Sequence, residues 1–414
     1  MKKEFLSWLA LSVAVILSAA GTSCSQVTAF QKAMSLYCES KLAEALPELQ
    51  AAATQDEKNA DVYAWLAETL RRLGRKQDAL TAARKSLSLD PCNSFAHLVI
   101  ADASNPMYGN WEGANEDTSW THLMDAIRCD SSDGNAWITA WVEAIKHNNM
   151  PMMQEACHRL ISTGFLTGPA LSWGTWLLRG LPQDAILITN GDMDTFPPSA
   201  IQVAEGFRPD VAIVNRSLLN TPWYARYVRD YEKVSIPFSD AALDTLSATR
   251  DSAGKVHTPS DAIFQSWLKE KEDGQLQRPL AIAVTVDWDL YAADSNQIEF
   301  AGPFLLWTQN PVRGTIDTTL VLASFKDVRP GDFAGDWVSP QDRSPVRRTA
   351  TRTVVGNVIY ASWRLAKTMT DAHDFAEAQH WVDWGEELVK ISGLGPVYSK
   401  DLDSLRDELK QANH

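Results

Sequence analysis

The chain has 414 residues, more than one ordinary core absorbs, so two or three domains are expected. A composition of 45% hydrophobic and 22% charged residues, without a low-complexity tract, marks it as a folded protein. A formal net charge of -14, with no basic run to offset it locally, argues against a nucleic-acid partner, because phosphate binding needs a basic surface.

At the N-terminus Lys2 and Lys3 precede an apolar run at residues 9–20. That run is too short to persist as a bilayer span and reads as a secretory signal. Cys24 follows Gly21-Thr22-Ser23, as in a lipoprotein signal whose cysteine becomes acylated. Gly21 stands where an aliphatic residue is usual, so simple cleavage near Ala20 is the alternative. The expectation is an exported protein, periplasmic or tethered to the outer membrane by an N-terminal lipid, with residues 1–24 as its signal. Beyond it, Cys38, Cys92, Cys129 and Cys157 permit two disulfides in an oxidising compartment, with three pairings open. No C-x-x-C spacing suggests zinc, and His158 beside Cys157 lacks further ligands at suitable spacing.

Helical periodicity follows. Between residues 60 and 91, Tyr63, Leu66, Ala67 and Leu70 share one helix face, and Gly74 closes that helix. Ala79, Ala83 and Ser86 mark a second helix, which Asp90-Pro91 ends. These positions resemble the tetratricopeptide repeat, whose period is about 34 residues. Ala67 and Ala101 stand one period apart, with an insertion at 104–118 in the second unit. Further helices are expected at 135–147 and 152–162, and a weaker pair at 30–53. The whole reads as a helical solenoid over residues 26–180. Trp137 with Trp141, Trp173 with Trp176, and Trp381 with Trp384 are spaced for one helix face, which suits core packing. Trp111, with Tyr108 in the insertion, falls outside that periodicity and is the candidate for an exposed partner contact.

Residues 181–340 read as an α/β domain with a mainly parallel sheet. Apolar runs at 185–189 and 211–214 have the continuity of strands buried on both faces, and the gap between them fits a crossover helix. Asn190, Gly191, Asp192 and Asp194 follow the first run; Asn215, Arg216 and Ser217 follow the second. Ligands in open α/β sheets gather beyond the carboxyl ends of strands, so this is the candidate site. An amphipathic stretch at 261–268, an apolar run at 280–286 and strands at 304–307 and 319–323 come next, then a polar loop at 332–342. From Thr353 the pattern turns helical: Val358, Ala361 and Leu365, then Phe375, Ala378, Trp381 and Val382, ending near Ser392-Gly393. Residues 350–414 thus form a closing helical hairpin. The fold class is α + α/β.

Asp192 and Asp194 are two carboxylates two positions apart, able to share a divalent cation of the kind that holds a diphosphate. The competing reading has them accept loop N–H groups and cap the following helix. A phosphatase-like alternative of the haloacid-dehalogenase type would recruit Asp332 and Asp336, but Asn190 and Gly191 separate the strand from Asp192, and Thr195 falls one place early. Asn215, Asn220 and Thr221 offer amides and a hydroxyl to a sugar or a peptide backbone, or else close turns. Trp223 and Tyr224 would stack on a sugar ring, or anchor a helix on the sheet.

The run Asn190-Gly191-Asp192-Met193-Asp194-Thr195-Phe196-Pro197, with Glu205-Gly206-Phe207-Arg208-Pro209-Asp210-Val211, Leu218-Leu219-Asn220-Thr221-Pro222-Trp223-Tyr224 and Arg278-Pro279-Leu280-Ala281-Ile282-Ala283-Val284, resembles the soluble C-terminal half of a bacterial membrane family. That family is protein O-mannosyltransferase-like, of glycosyltransferase C type, and the similarity covers residues 181–389. Met193 departs from it, standing where a polar residue is expected, and the many-span half that holds the family's transferase chemistry is missing. The resemblance implies kinship with the extracytoplasmic lobe, not transferase activity. Together these features predict an exported scaffold that binds a protein or peptide through its helices, as an accessory to extracytoplasmic glycosylation and without a cofactor. The alternative is a glycosyl- or phosphoryl-handling enzyme using a divalent cation on Asp192 and Asp194.

Overall fold

Four helical hairpins open the computed structural model, which describes residues 28–109, 111–291, 296–308, 316, 318–395 and 397–412. The expected signal at 1–24, with Cys24, lies outside the described residues. The hairpins are α1 (Ala29–Cys38) with α2 (Leu42–Gln55), α3 (Ala60–Arg72) with α4 (Lys76–Leu89), α5 (Ser94–Ser104) with α6 (Glu116–Cys129), and α7 (Gly134–Lys146) with α8 (Met150–Ser162).

A recurring signal starts them. Asn59, Asn93 and Asp133 each accept backbone N–H groups of the first turn of α3, α5 and α7, satisfying donors that a helix end leaves over. The first two caps are one repeat period apart, and the third comes later because the insertion joins α5 to α6. Ala67, Ala79, Ala83 and Ala101 are fully buried, so neighbouring helices approach closely. Cys92 and Cys129 form a disulfide across the ends of the α5–α6 hairpin. Cys38 is exposed and Cys157 buried, and both are free, so only one of the two permitted disulfides forms among the described residues.

α9 (Gly168–Arg179) leads into the lobe, where β1 (Ile186–Thr189), α10 (Asp192–Glu205) and β2 (Ala212–Asn215) make the expected parallel crossover unit. There follow α11 (Pro222–Asp230), α12 (Asp240–Thr245), a small hairpin of β3 (Thr249–Arg250) and β4 (Val256–His257), α13 (Pro259–Glu272), β5 (Leu280–Ala283), β6 (Ile298–Phe300) and β7 (Phe304–Trp307). The main sheet runs β2-β1-β5-β7-β6. Its first three strands are parallel and buried along their whole length, while β7 and β6 add an antiparallel edge. The sheet is therefore mixed.

One expected strand is corrected. Residues 319–323 belong to α14 (Thr318–Phe325), which packs on α9. A short apolar run suits a buried helix as well as a strand, and here Ser324 Oγ donates to Leu320 O within the helix, against Gly180. The loop expected at 332–342 is not wholly polar, since Phe333 and Trp337 are buried with Trp173, Trp176, Trp381 and Trp384 in a second core. α15 (Pro345–Asp371), α16 (Phe375–Ser392) and α17 (Lys400–Ala412) close the molecule as three helices rather than two.

Array and lobe share apolar packing. Trp141 of α7 meets Phe196 of α10 edge-on at 5.2 Å, within a core that runs from Leu98 to the sheet. Among the described residues no helix is long and apolar enough to cross a membrane.

Candidate functional site

α10 begins immediately beyond the carboxyl end of β1, with Gly191 just before its first turn. Asp194 is 2% exposed. Its carboxylate accepts the Asn190 N–H at 2.8 Å, the Gly191 N–H at 2.9 Å and the Thr285 hydroxyl. Burial pushes its pKa up, against the pull of these three donors. Asp192, two residues earlier, points elsewhere: its side chain is 48% exposed and pairs with Arg347 Nη1 at 2.7 Å. The two carboxylates diverge: Asp194 follows the reading in which it accepts loop N–H groups, and the alternative two-oxygen chelate is not formed in this arrangement. One has spent its oxygens on loop donors, and the other turns away from it to pair with Arg347.

The neighbouring expectations resolve as scaffolding. Thr195 is buried, with its hydroxyl 2.6 Å from that of Thr189 and accepting from Asn215 Nδ2 at 3.0 Å. Asn215 Oδ1 accepts the Leu218 N–H and closes a turn, while Asn220 donates from Nδ2 to Ser217 O within its own turn and accepts the Ser260 N–H at the start of α13. Tyr224 is fully buried, and its hydroxyl accepts the Asn215 N–H at 2.9 Å, which makes it an anchor of α11 on β2 rather than a stacking platform. Trp223 packs edge-on against it. Asp332 Oδ2 accepts the Arg329 N–H and closes a short turn. Trp111 is not the exposed contact expected: its indole donates to Ala103 O at 3.1 Å, and its ring covers the α3–α5 core. Tyr108, by contrast, is 45% exposed.

What the sheet edge builds instead is one wall of a cleft. A cavity of about 350 Å³ lies between the N-terminus of α10 and the first helices of successive hairpins, α3, α5 and α7. Glu68, Arg71 and Arg72 enter it from α3, and Asp102 from α5. Glu68 is 3% exposed and holds both arginines, at 2.7 Å from Arg71 Nε and 2.6 Å from Arg72 Nε. Those guanidinium groups hold its carboxyl below the usual range in spite of burial, which opposes them as the largest single effect. Burial instead raises Asp102, which stands 3.5 Å from Arg71 and accepts the Thr139 hydroxyl.

The opposite wall is a strap at residues 339–344, with the first turn of α15 after it, laid across the same helix face. Asn135 of α7 clamps its backbone, donating from Nδ2 to Gln341 O at 2.9 Å and accepting the Arg343 N–H at 3.1 Å. Tyr37 and Arg72 both donate to Arg343 O. The Arg343 guanidinium sits 4.1 Å over the Phe95 ring and forks onto Asp133 Oδ2 at 2.9 Å. Beyond the strap a second cavity of about 520 Å³ continues along the face, lined by Tyr37, Trp65 and Phe95. Those three rings form an edge-to-face row at 5.1 and 4.9 Å. The strap thus divides one groove into two open lengths.

Sequence reasoning missed Glu68, Asp102, Asn135 and Arg343. For the first two a signal existed: they occupy equivalent positions one repeat period apart, each a carboxylate interrupting an apolar helix face. For Arg343 none did, because its partners lie some 210 residues away.

Comparisons with known proteins add two findings. A family model described as TMEM260-associated domain 2 matches residues 170–299, from α9 through the three parallel strands to β6, and so includes the α10 loop. A crystal structure of a tetratricopeptide repeat protein from Parabacteroides merdae is similar at 10% identity over 91% of this chain and 96% of that one, with a TM-score of 0.29. A score that low carries no argument, and the fold rests on the hairpins themselves. No curated protein matches the chain.

Proposed function

We propose that this chain is an exported binding scaffold whose inner helical groove takes an extended polypeptide, in the service of extracytoplasmic protein glycosylation. The observation that carries the first half is the strap. The groove already holds a non-helical segment of the chain by an amide clamp on its backbone and a ring-plus-carboxylate seat for its arginine. Open groove on either side leaves room for a partner's chain beside it. Main-chain clamping gives affinity without demanding one sequence, which suits a scaffold. Support for the second half comes from the matched family domain and from the resemblance of the same loop to the soluble half of O-mannosyltransferase-like proteins. The Cys92–Cys129 disulfide fits an oxidising compartment.

The test places a photo-crosslinking residue at Trp65, in the open groove, and at Lys85, on the exposed side of α4, in the full chain expressed in its own envelope. A discrete set of polypeptides, including glycosylation enzymes or their acceptors, should crosslink from position 65 and not from 85. Equal crosslinking from both positions, or none from 65, would remove the groove as the binding surface. A groove-specific set without glycosylation proteins would remove the context alone.

A further inference from the structure

We propose that His97, His122 and Asp125 form a three-ligand site for a divalent cation of the zinc class, clipping α5 to α6 beside the disulfide. His122 and Asp125 stand three apart on one face of α6, and His97 reaches them from α5. One ligand atom from each lies within 4.8 Å of the other two. The two Nδ1 atoms are 2.8 Å apart, and Asp125 Oδ2 is 3.9 Å from His97 Nδ1.

The outer partners fix which atoms face the ion. His97 Nε2 lies 3.1 Å from Pro91 O, a carbonyl that only accepts, so Nε2 carries the hydrogen and the neutral ring presents its Nδ1 lone pair inward. A backbone carbonyl holding the far nitrogen in this way is the usual support of a metal-bound imidazole. On Asp125, Arg128 takes Oδ1, which leaves Oδ2 turned towards the histidines. In the neutral pair a single proton, on His122 Nδ1, bridges the two rings. A bound ion replaces it while that proton moves to His122 Nε2, so the pair gains and loses none. Zinc–nitrogen bonds of about 2.0–2.1 Å at a tetrahedral angle require the nitrogens ~3.3 Å apart. The partly buried His122 ring moves out by roughly the difference, the Asp125 carboxylate closes in on His97 by about as much, and water completes the fourth position.

A second cluster of Glu116, Glu143 and His147 serves as the contrast. There Lys146 Nζ already stands 2.9 Å from Glu116 and 3.7 Å from Glu143, so an ammonium fills the place of an ion.

The experiment titrates the metal-free full chain with Zn²⁺ by calorimetry and with Co²⁺ by visible absorption. One Zn²⁺ per chain should bind, and Co²⁺ should show the ligand-field bands of a four-coordinate nitrogen–oxygen site. His122→Ala should weaken Zn²⁺ binding by at least the about 10–100-fold that loss of even an outer partner costs, while His147→Ala leaves it unchanged. Absence of the Co²⁺ bands in the unmodified chain overturns the proposal without reference to any variant's folding. So does Zn²⁺ binding that survives His122→Ala.

Discussion

The helical array and the α/β lobe satisfy their polar groups in opposite ways. In the array each hairpin carries its own cap, as Asn59, Asn93 and Asp133 do; each satisfies N–H groups of one helix start, and Asn93 and Asp133 also reach outside partners, among them Asp61 and Arg343. In the lobe the buried carboxylate of Asp194 serves a loop, a helix start and Thr285, which lies just beyond β5, at the same time. Separable polar work lets hairpins be added or lengthened, as the insertion between α5 and α6 was. Pooled polar work makes the lobe a unit that stands or falls on a few residues. The cleft lies where the two styles meet, and its charged groups belong to both.

Asp194→Ala is the sharpest way to break this contrast. It orphans two backbone N–H groups and a hydroxyl at partly buried positions beside a cavity of about 420 Å³. With about 1–3 kcal/mol for each unsatisfied buried donor, partly relieved by rehydration, a loss of about 3–4 kcal/mol is expected. Urea denaturation followed by tryptophan fluorescence measures it. A loss below about 1 kcal/mol would show that the loop donors find other partners and that the lobe is no more interdependent than the array.

A second test uses pH. Burial pushes Glu232 up to about 7, against the Tyr227 hydrogen bond and the charge of Arg278. Its pKa is thus higher folded than unfolded, where it lies near 4.5. Between these values the folded state holds the proton that the unfolded state has released, so stability falls as pH rises through this window. Glu232→Gln keeps an acceptor for Tyr227 and removes the charge. Relative to the unaltered chain it should gain about 2 kcal/mol on going from about pH 5 to about pH 8, read from denaturation midpoints. A gain independent of pH would mean that Glu232 is solvated, and that the lobe tolerates charge as the array does.

The same contrast explains how much was legible in the sequence. The hairpins were, because apolar spacing, Gly74 and Asp90-Pro91 act within a few residues of themselves. The β1–α10–β2 unit was legible too, from two continuous apolar runs and the polar residues after them. The Asp192–Asp194 pair was found but could not be interpreted, since adjacency in sequence says nothing of direction. One side chain turned inward to Thr285 and the other outward to Arg347. The groove's occupant was invisible, because the strap reads as a polar loop until Asn135 and Asp133 are placed against it. Residues 319–323 misled for the reason that length alone does not separate a strand from a buried helix turn.

The smallest expected effect is in the array. Asn59→Ala removes a cap whose Oδ1 accepts from Asp61 and Val62 at 3.1 and 3.3 Å. The freed donors lie at a partly exposed helix start, where water replaces the lost acceptor, so about 1 kcal/mol is expected by denaturation. Asn93→Ala is the internal comparison. Asn93 is buried, and its Nδ2 also donates to Asp61 Oδ1 at 2.9 Å, tying its own hairpin to the one before. It should therefore cost more than Asn59→Ala, though less than Asp194→Ala. If the two asparagines cost the same, the Asp61 bridge adds nothing and the hairpins are coupled by apolar packing alone. If Asn59→Ala matched Asp194→Ala, caps in the array would be carrying more than their own helices, and the division between separable and pooled polar work would fail.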